Sequence, residues 1–157
     1  MKTSFLKSLI LLLPVFTGCA SQPVTSLLRP SPTNQGELLI YRESSFIAGA
    51  VSLTVGAGSD AFAKIDNSEY VRVQLAPGEH EIFVRARRAD PTRLRISLGR
   101  DARVCLRTSA SPSTLAKVVI PVTLIARGYH FYLDEVPCPD DTVLAKYKLV
   151  PVNYALK

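Results

Sequence analysis

"SEYVRVQLAPGEHEIFVRARR", Ser68–Arg88, decides how the rest of the chain is read. Val71, Val73 and Leu75 alternate with Tyr70, Arg72 and Gln74, and after Ala76-Pro77-Gly78-Glu79-His80 the alternation resumes with Ile82, Val84 and Ala86. A two-residue period puts one set of side chains on a buried face and the other in water, the signature of β-strands rather than of a helix. Proline sets φ, glycine accepts positive φ, and the pair predicts a hairpin turn between the two strands.

The same grammar extends in both directions. Upstream, "ELLIYR" (Glu37–Arg42) is a short apolar run, and "AVSLTV" (Ala50–Val55) alternates Val51, Leu53 and Val55 with Ser52 and Thr54. Downstream, "TRLRISLG" turns Leu94, Ile96 and Leu98 inward. "GYHFYLDEV" sets Tyr129, Phe131 and Leu133 against His130 and Tyr132, and "LAKYKLVPV" (Leu144–Val152) reads as a closing strand. Val118–Ile125 is rich in β-branched residues and reads as a strand bent or edged at Pro121, with one short helix as the alternative. Turn signals recur every eight to twelve residues, which predicts an all-β domain over residues 36–157. The expected fold is a compact antiparallel β-sandwich of eight to nine strands. With 47% hydrophobic and 20% charged residues in 157, the chain can bury one domain's core.

Residues 1–18 follow a different grammar. Lys2 and Lys7 precede an apolar stretch from Ser8 to Phe16, and Thr17-Gly18 follows, in the order of a secretory signal peptide. The stretch is about half the roughly twenty residues a membrane-spanning helix needs. Phe16-Thr17-Gly18-Cys19 resembles the lipobox of bacterial lipoproteins, with Phe16 where leucine is usual. The resemblance implies that Cys19 becomes the first mature residue and carries palmitate-type acyl chains, which anchor firmly when two or more are present. An ordinary signal peptide cut elsewhere is the competing reading. Ala20 in the second mature position implies, by the family's sorting rule, an outer-membrane anchor facing the periplasm of a bacterial cell envelope. Residues 19–35, with three prolines and many Ser, Thr and Asn, read as a flexible tether spanning about 20–24 Å as a coil.

Cys105 and Cys138 remain once Cys19 is assigned to lipid. In an oxidising compartment a disulfide between them is the economical reading, with two separate thiols as the alternative. Cys105 falls on the polar-facing parity of "RVCLRT" and Cys138 lies in the proline-braced "VPCPDD". Two cysteines without a nearby histidine do not make a metal site, so no metal is expected.

The chain carries 19 Lys plus Arg against 13 Asp plus Glu, a formal charge of +6. Eight arginines fall between Arg85 and Arg107 with only Asp90 and Asp101 opposing. By parity Arg85, Arg87, Arg93 and Arg95 share a wet face, either as a basic binding patch or as a solvated surface whose aliphatic stems cover the sheet. No aromatic-interleaved basic motif points to nucleic acid. His80 and His130 have no recognisable catalytic partners, and nucleophile-elbow, zinc-protease and phosphate-loop motifs are missing. The chain therefore reads as a non-enzyme without cofactors.

Tyr41-Arg42, Ser45-Phe46, Gly49, Lys64 and Pro77-Gly78-Glu79-His80 together resemble a family of uncharacterised bacterial envelope lipoproteins, defined by a domain of unknown function. The likeness spans Gly36–Arg88 and, more loosely, Gly128–Leu133. It implies a transthyretin-like or immunoglobulin-like sandwich and no known activity; the arginine-rich middle and the two cysteines depart from it. The expected role is a lipid-anchored binding or accessory module. It would dock an envelope protein or glycan through one sheet face or the loop Ser44–Ala48, with a scaffold subunit of an envelope-spanning secretion-type assembly as the alternative.

Overall fold

A computed structural model describes residues 35–46, 48–111 and 129–153. Cys19, the expected signal peptide, nearly all of the expected tether and the expected strand Val118–Ile125 lie outside the described residues. The elements run β1 (Gly36–Arg42), β2 (Leu53–Ala57), β3 (Asp60–Ile65), β4 (Glu69–Leu75), β5 (Gly78–Ala86), β6 (Thr92–Leu98), β7 (Arg103–Ala110), β8 (Phe131–Val136), α1 (Asp141–Leu144) and β9 (Lys148–Val150). They form a five-stranded sheet, β8-β7-β1-β4-β9, packed on a four-stranded sheet, β3-β2-β5-β6. The molecule is an all-β sandwich.

The expected sandwich is the one observed, and three of its details are corrected. The four-stranded sheet is antiparallel throughout, but β1 pairs parallel with β7, and β4 with β9. The five-stranded sheet is mixed because the chain visits the opposite sheet between those partners. The Pro77-Gly78 turn is likewise not a hairpin: β4 pairs with β1 and β9, whereas β5 pairs with β2 and β6. The turn is the corner where the chain changes sheets. Gly78 takes φ 138°, which side-chain-bearing residues rarely adopt. His80, expected as a polar turn residue, is instead buried at the start of β5, where its Nε2–H donates to the Ala76 carbonyl at 2.7 Å and braces the corner from inside.

The main core lies between the sheets and follows the period-two pattern. Leu38 and Ile40, Leu53 and Val55, Val71, Val73 and Leu75, Ile82 and Val84, Ile96 and Leu98, Leu106, Phe131 and Leu133 are all buried in it. Each such side chain contributes about 1.5–3 kcal/mol of transfer free energy. The "ELLIYR" run is apolar at consecutive positions for a different reason: β1 is covered on both faces. On the outer side Leu39, Tyr41, Cys105 and Leu144 form a second core, flanked by Tyr70, Val136 and Tyr147. The segment carrying α1 lies over the five-stranded sheet and provides that cover.

Leu144–Val152 is therefore not one strand. Asp140 caps α1, its Oδ1 accepting from the Val143 amide at 2.9 Å and from the Thr142 hydroxyl at 2.6 Å, and β9 starts only at Lys148. The Thr142 hydroxyl and then the Val143 amide hold the Asp140 carboxyl below the usual carboxylate range. Past β9 the Asn153 amide bonds the Phe62 carbonyl of β3 at 2.7 Å. On the opposite open side Thr92 Oγ1 donates to the Phe131 carbonyl at 2.6 Å, tying β6 to β8.

Candidate functional site

Strand directions gather several connections at one end of the sandwich. Arg42 ends β1 opposite Thr108 near the end of β7, Leu53 opens β2 opposite Ala86 at the end of β5, and Phe131 opens β8 opposite Ala110. The loop between β1 and β2 and the turn between β5 and β6 therefore emerge together. The chain enters the domain at the other end, where Gly36 pairs with Leu75.

Arg42 organises the loop end. It shares the inward parity of Leu38 and Ile40, and only 1% of it is exposed. Its guanidinium donates to the carbonyls of Ala48 and Val51 and lies 5.1 Å from the Phe131 ring centroid. Burial pushes its pKa below the ordinary arginine value, with Asp66 acting in the opposite sense. Among the described residues no carboxylate forms an ion pair with it. Its charge is spread over two carbonyls and an aromatic face; removing the side chain takes this donor from the Val51 carbonyl, while the Ala48 carbonyl keeps the Val51 amide.

The loop is fastened at further points. The Ser45 amide donates to Asn67 Oδ1 at 2.8 Å, and the Val51 amide to the Ala48 carbonyl at 3.1 Å. Ser52 Oγ donates to Asp66. Gly49 is needed for close packing, since a Cβ there would sit 2.9 Å from the Ser45 carbonyl. Asp66 and Asn67 belong to the β3–β4 turn, itself fixed by the Asp66 amide on Glu69 Oε2 at 2.8 Å and by Lys148 Nζ on Glu69 Oε1 at 2.9 Å. That Glu69 contact raises the Lys148 pKa. From this fixed base Phe46 projects with 103% relative exposure.

The arginine face is the second candidate. On the outer side of the four-stranded sheet, Phe83 lies across Gly56, where a Cβ would come within 2.4 Å of the ring. Arg93 covers it with its guanidinium 5.7 Å from the ring centroid, donating to Glu81 Oε1 at 2.6 Å and to the Gly58 carbonyl at 3.3 Å. Arg93 is thus committed to the fold. Arg85 and Arg95 are exposed on the same face, while Arg87 lies beyond β5 in the Ala86–Ala89 turn instead of on the strand. Among the described residues, Arg85, Arg87 and Arg95 make no side-chain hydrogen bond or ion pair.

Cys105 and Cys138 are joined by a disulfide with their Cα atoms 5.1 Å apart. Cys105 does point outward, as its parity requires, but that face is covered and the residue is 1% exposed, so it is a core cysteine after all. Burial first, then Glu43, raises the hydroxyl pKa of both Tyr41 and Tyr147, whose rings meet edge to face at 5.6 Å. Among the described residues no group of three or more His, Cys, Asp or Glu could hold a metal ion, and no helix is long and apolar enough to cross a membrane.

Sequence reasoning missed the burial of Arg42 and the outer core. The signal for Arg42 was present: a charge on the parity of Leu38 and Ile40. Comparison with known proteins adds no relative, since no family model and no curated protein matches the chain.

Proposed function

We propose that the protein is a lipid-anchored module of the bacterial cell envelope. On this reading Cys19 is acylated, residues 19–35 tether the sandwich to the outer membrane, and the domain faces the periplasm. The loop end docks an envelope protein or glycan, with Phe46 as the inserted side chain. The observation that carries this reading is the full exposure of Phe46 on a loop whose base is fixed by the buried Arg42. Exposed aromatics on preorganised backbone lose little entropy on binding and are favoured as anchors at interfaces. The Cys105–Cys138 disulfide supports an oxidising compartment.

A photo-crosslinking residue placed at position 46 in cells of the native host should capture an envelope protein, or retain cell-wall glycan. The same probe at Gln74, on the outer face of the five-stranded sheet, should not. Phe46→Ala should weaken that association by about tenfold or more. Intact mass from membranes should show an acylated N-terminal Cys19. Equal capture from both positions removes the loop end from the reading, and an unacylated mass removes the anchor. Recovery in a large assembly of fixed stoichiometry would turn the module into a scaffold subunit.

A further inference from the structure

We infer that the outer face of the four-stranded sheet docks on the anionic headgroups of a phospholipid bilayer. The first observation is an imbalance between the two outer faces. On the five-stranded sheet Arg72, Arg103 and Arg107 each meet a carboxylate, at 3.9 Å from Asp141, 2.6 Å from Glu37, and 3.7 and 4.0 Å from Glu43 and Asp134. On the four-stranded sheet Glu81 is taken by Arg93, and Arg85 and Arg95 are unmatched. Lys64 and Arg85 flank Thr54 in one cross-strand row, and Arg87 follows along the chain in the turn after β5. Within the strands Glu79 is the other carboxylate on this parity, opposite Ser97, and Asp66, just past β3, accepts from Ser52. A surface with surplus cations held about 4.8 Å per strand apart suits many separate negative charges rather than one chelated anion.

The second observation concerns what the face lacks. Its aromatic, Phe83, is 5% exposed beneath Arg93, so among the described residues of this face no ring is open for stacking on a sugar. That favours headgroups over a glycan. The third is where the chain enters. The Gln35 carbonyl accepts from the Asp101 amide at 3.1 Å, and the Glu37 amide donates to Ala102 at 2.8 Å. Gly36 packs on Leu98 and Gly99 so closely that a Cβ would meet Leu98 at 2.5 Å. The tether thus leaves beside the end of β6, next to the Glu79–Ser97 end of this face and opposite the β5–β6 turn that carries Arg87. Fully extended, Cys19 to Gln35 reaches no more than roughly 55 Å, which keeps the face near the anchoring bilayer. The choice of lipid over a soluble polyanion rests on the anchor reading proposed above; the charge imbalance does not.

The chain has no tryptophan, so Ser97→Trp gives a single reporter on this face and Gln74→Trp one on the opposite face. The full-length protein, expressed and processed in a bacterial host, is floated with vesicles of phosphatidylcholine alone or mixed with phosphatidylglycerol, each doped with a headgroup nitroxide quencher. The expected result is quenching at position 97, not at 74, only on the anionic vesicles. High salt abolishes it, and Arg85→Glu/Arg87→Glu/Arg95→Glu lowers the docked-to-free ratio by roughly a hundredfold. Salt alone tests the face if that triple variant misfolds. Flotation on both vesicle types without quenching at position 97 overturns the inference and leaves the anchor standing. Arginine-dependent flotation on anionic vesicles only removes the anchor and upholds the face, and flotation on neither removes both. A sulfated or phosphorylated glycan that binds the face while anionic vesicles fail to quench assigns it to glycan and overturns the lipid assignment.

Discussion

The two outer faces of this sandwich start from the same raw material, arginines alternating with inward apolar residues, and finish differently. Over the five-stranded sheet the chain returns: residues 137–147 cross it, bring Leu144 onto Leu39 and Tyr41, place Asp141 near Arg72, and are tied down by Cys138 to Cys105. Among the described residues nothing comparable crosses the four-stranded sheet, whose outer face is finished locally by Arg93 over Phe83 over Gly56. The difference teaches that an arginine on a strand's wet face has no fixed meaning. Its role follows from whether another segment of the chain supplies a carboxylate and apolar cover.

The sharpest way to break that contrast is to release the cover. Replacing both cysteines, Cys105→Ala/Cys138→Ala, removes a crosslink with a sequence separation of 33 residues. In the loop-entropy picture this should cost about 3.5–4 kcal/mol, read as a lower urea midpoint. A loss below about 1 kcal/mol would mean that Leu144 and the Asp140 cap hold the segment without the crosslink. The arginine face should be indifferent to the change, because no disulfide touches it.

A second test acts on the open face alone. Gly56→Ala places a methyl group within 2.3 Å of the Asp60 carbonyl and 2.4 Å of the Phe83 ring. Since the Asp60 carbonyl is backbone and the ring is pinned under Arg93, neither can yield freely, and the substitution should destabilise the domain by about 1–3 kcal/mol. A neutral result would show that Phe83 does not depend on Gly56 for its seat.

These tests also mark what was legible in the sequence. Strands β4 and β6 alternate because each has one face in the core and one on the outer side, and β5 departs from alternation only at Phe83, buried on the outer face beneath Arg93, so period finds all three. Their pairing is not written in the period. Pro77-Gly78 reads equally well as a hairpin or as a corner, and only the strand pairing distinguishes them: β4 pairs with β1 and β9 and β5 with β2 and β6, with His80 on the Ala76 carbonyl bracing the corner. β3 was visible only through its Lys64, since "DAFAKI" is interrupted by the bulge opposite Val55 and Gly56 and loses its alternation. Arg42 was legible in principle but unread, because a charge closing an apolar run looks like a strand end. For the candidate sites, composition located the arginines and parity their face, but whether each is spent on a neighbour depends on cross-strand register. Arg93 faces Phe83 and Arg95 faces Glu81, a register that no local pattern announces.

That register gives the finest test of the comparison. Arg93 and Arg95 are two residues apart on one strand and both exposed, yet they have different jobs. Arg93→Ala removes the exposed pair with Glu81, worth about 0.2–1 kcal/mol, and the cation over Phe83, worth about 0.5–1 kcal/mol. It also uncovers the ring, so a total near 1–1.5 kcal/mol is expected by urea unfolding. Arg95→Ala breaks no contact in the fold and should stay within about 0.5 kcal/mol of the parent. The lipid assay should not follow that order: each substitution lowers the charge of the docking face by one, Arg95→Ala by withdrawing an unmatched cation and Arg93→Ala by freeing the Glu81 carboxylate, so both should weaken docking to a similar degree. If instead both variants lose stability and docking in proportion, the division between structural and free arginines fails.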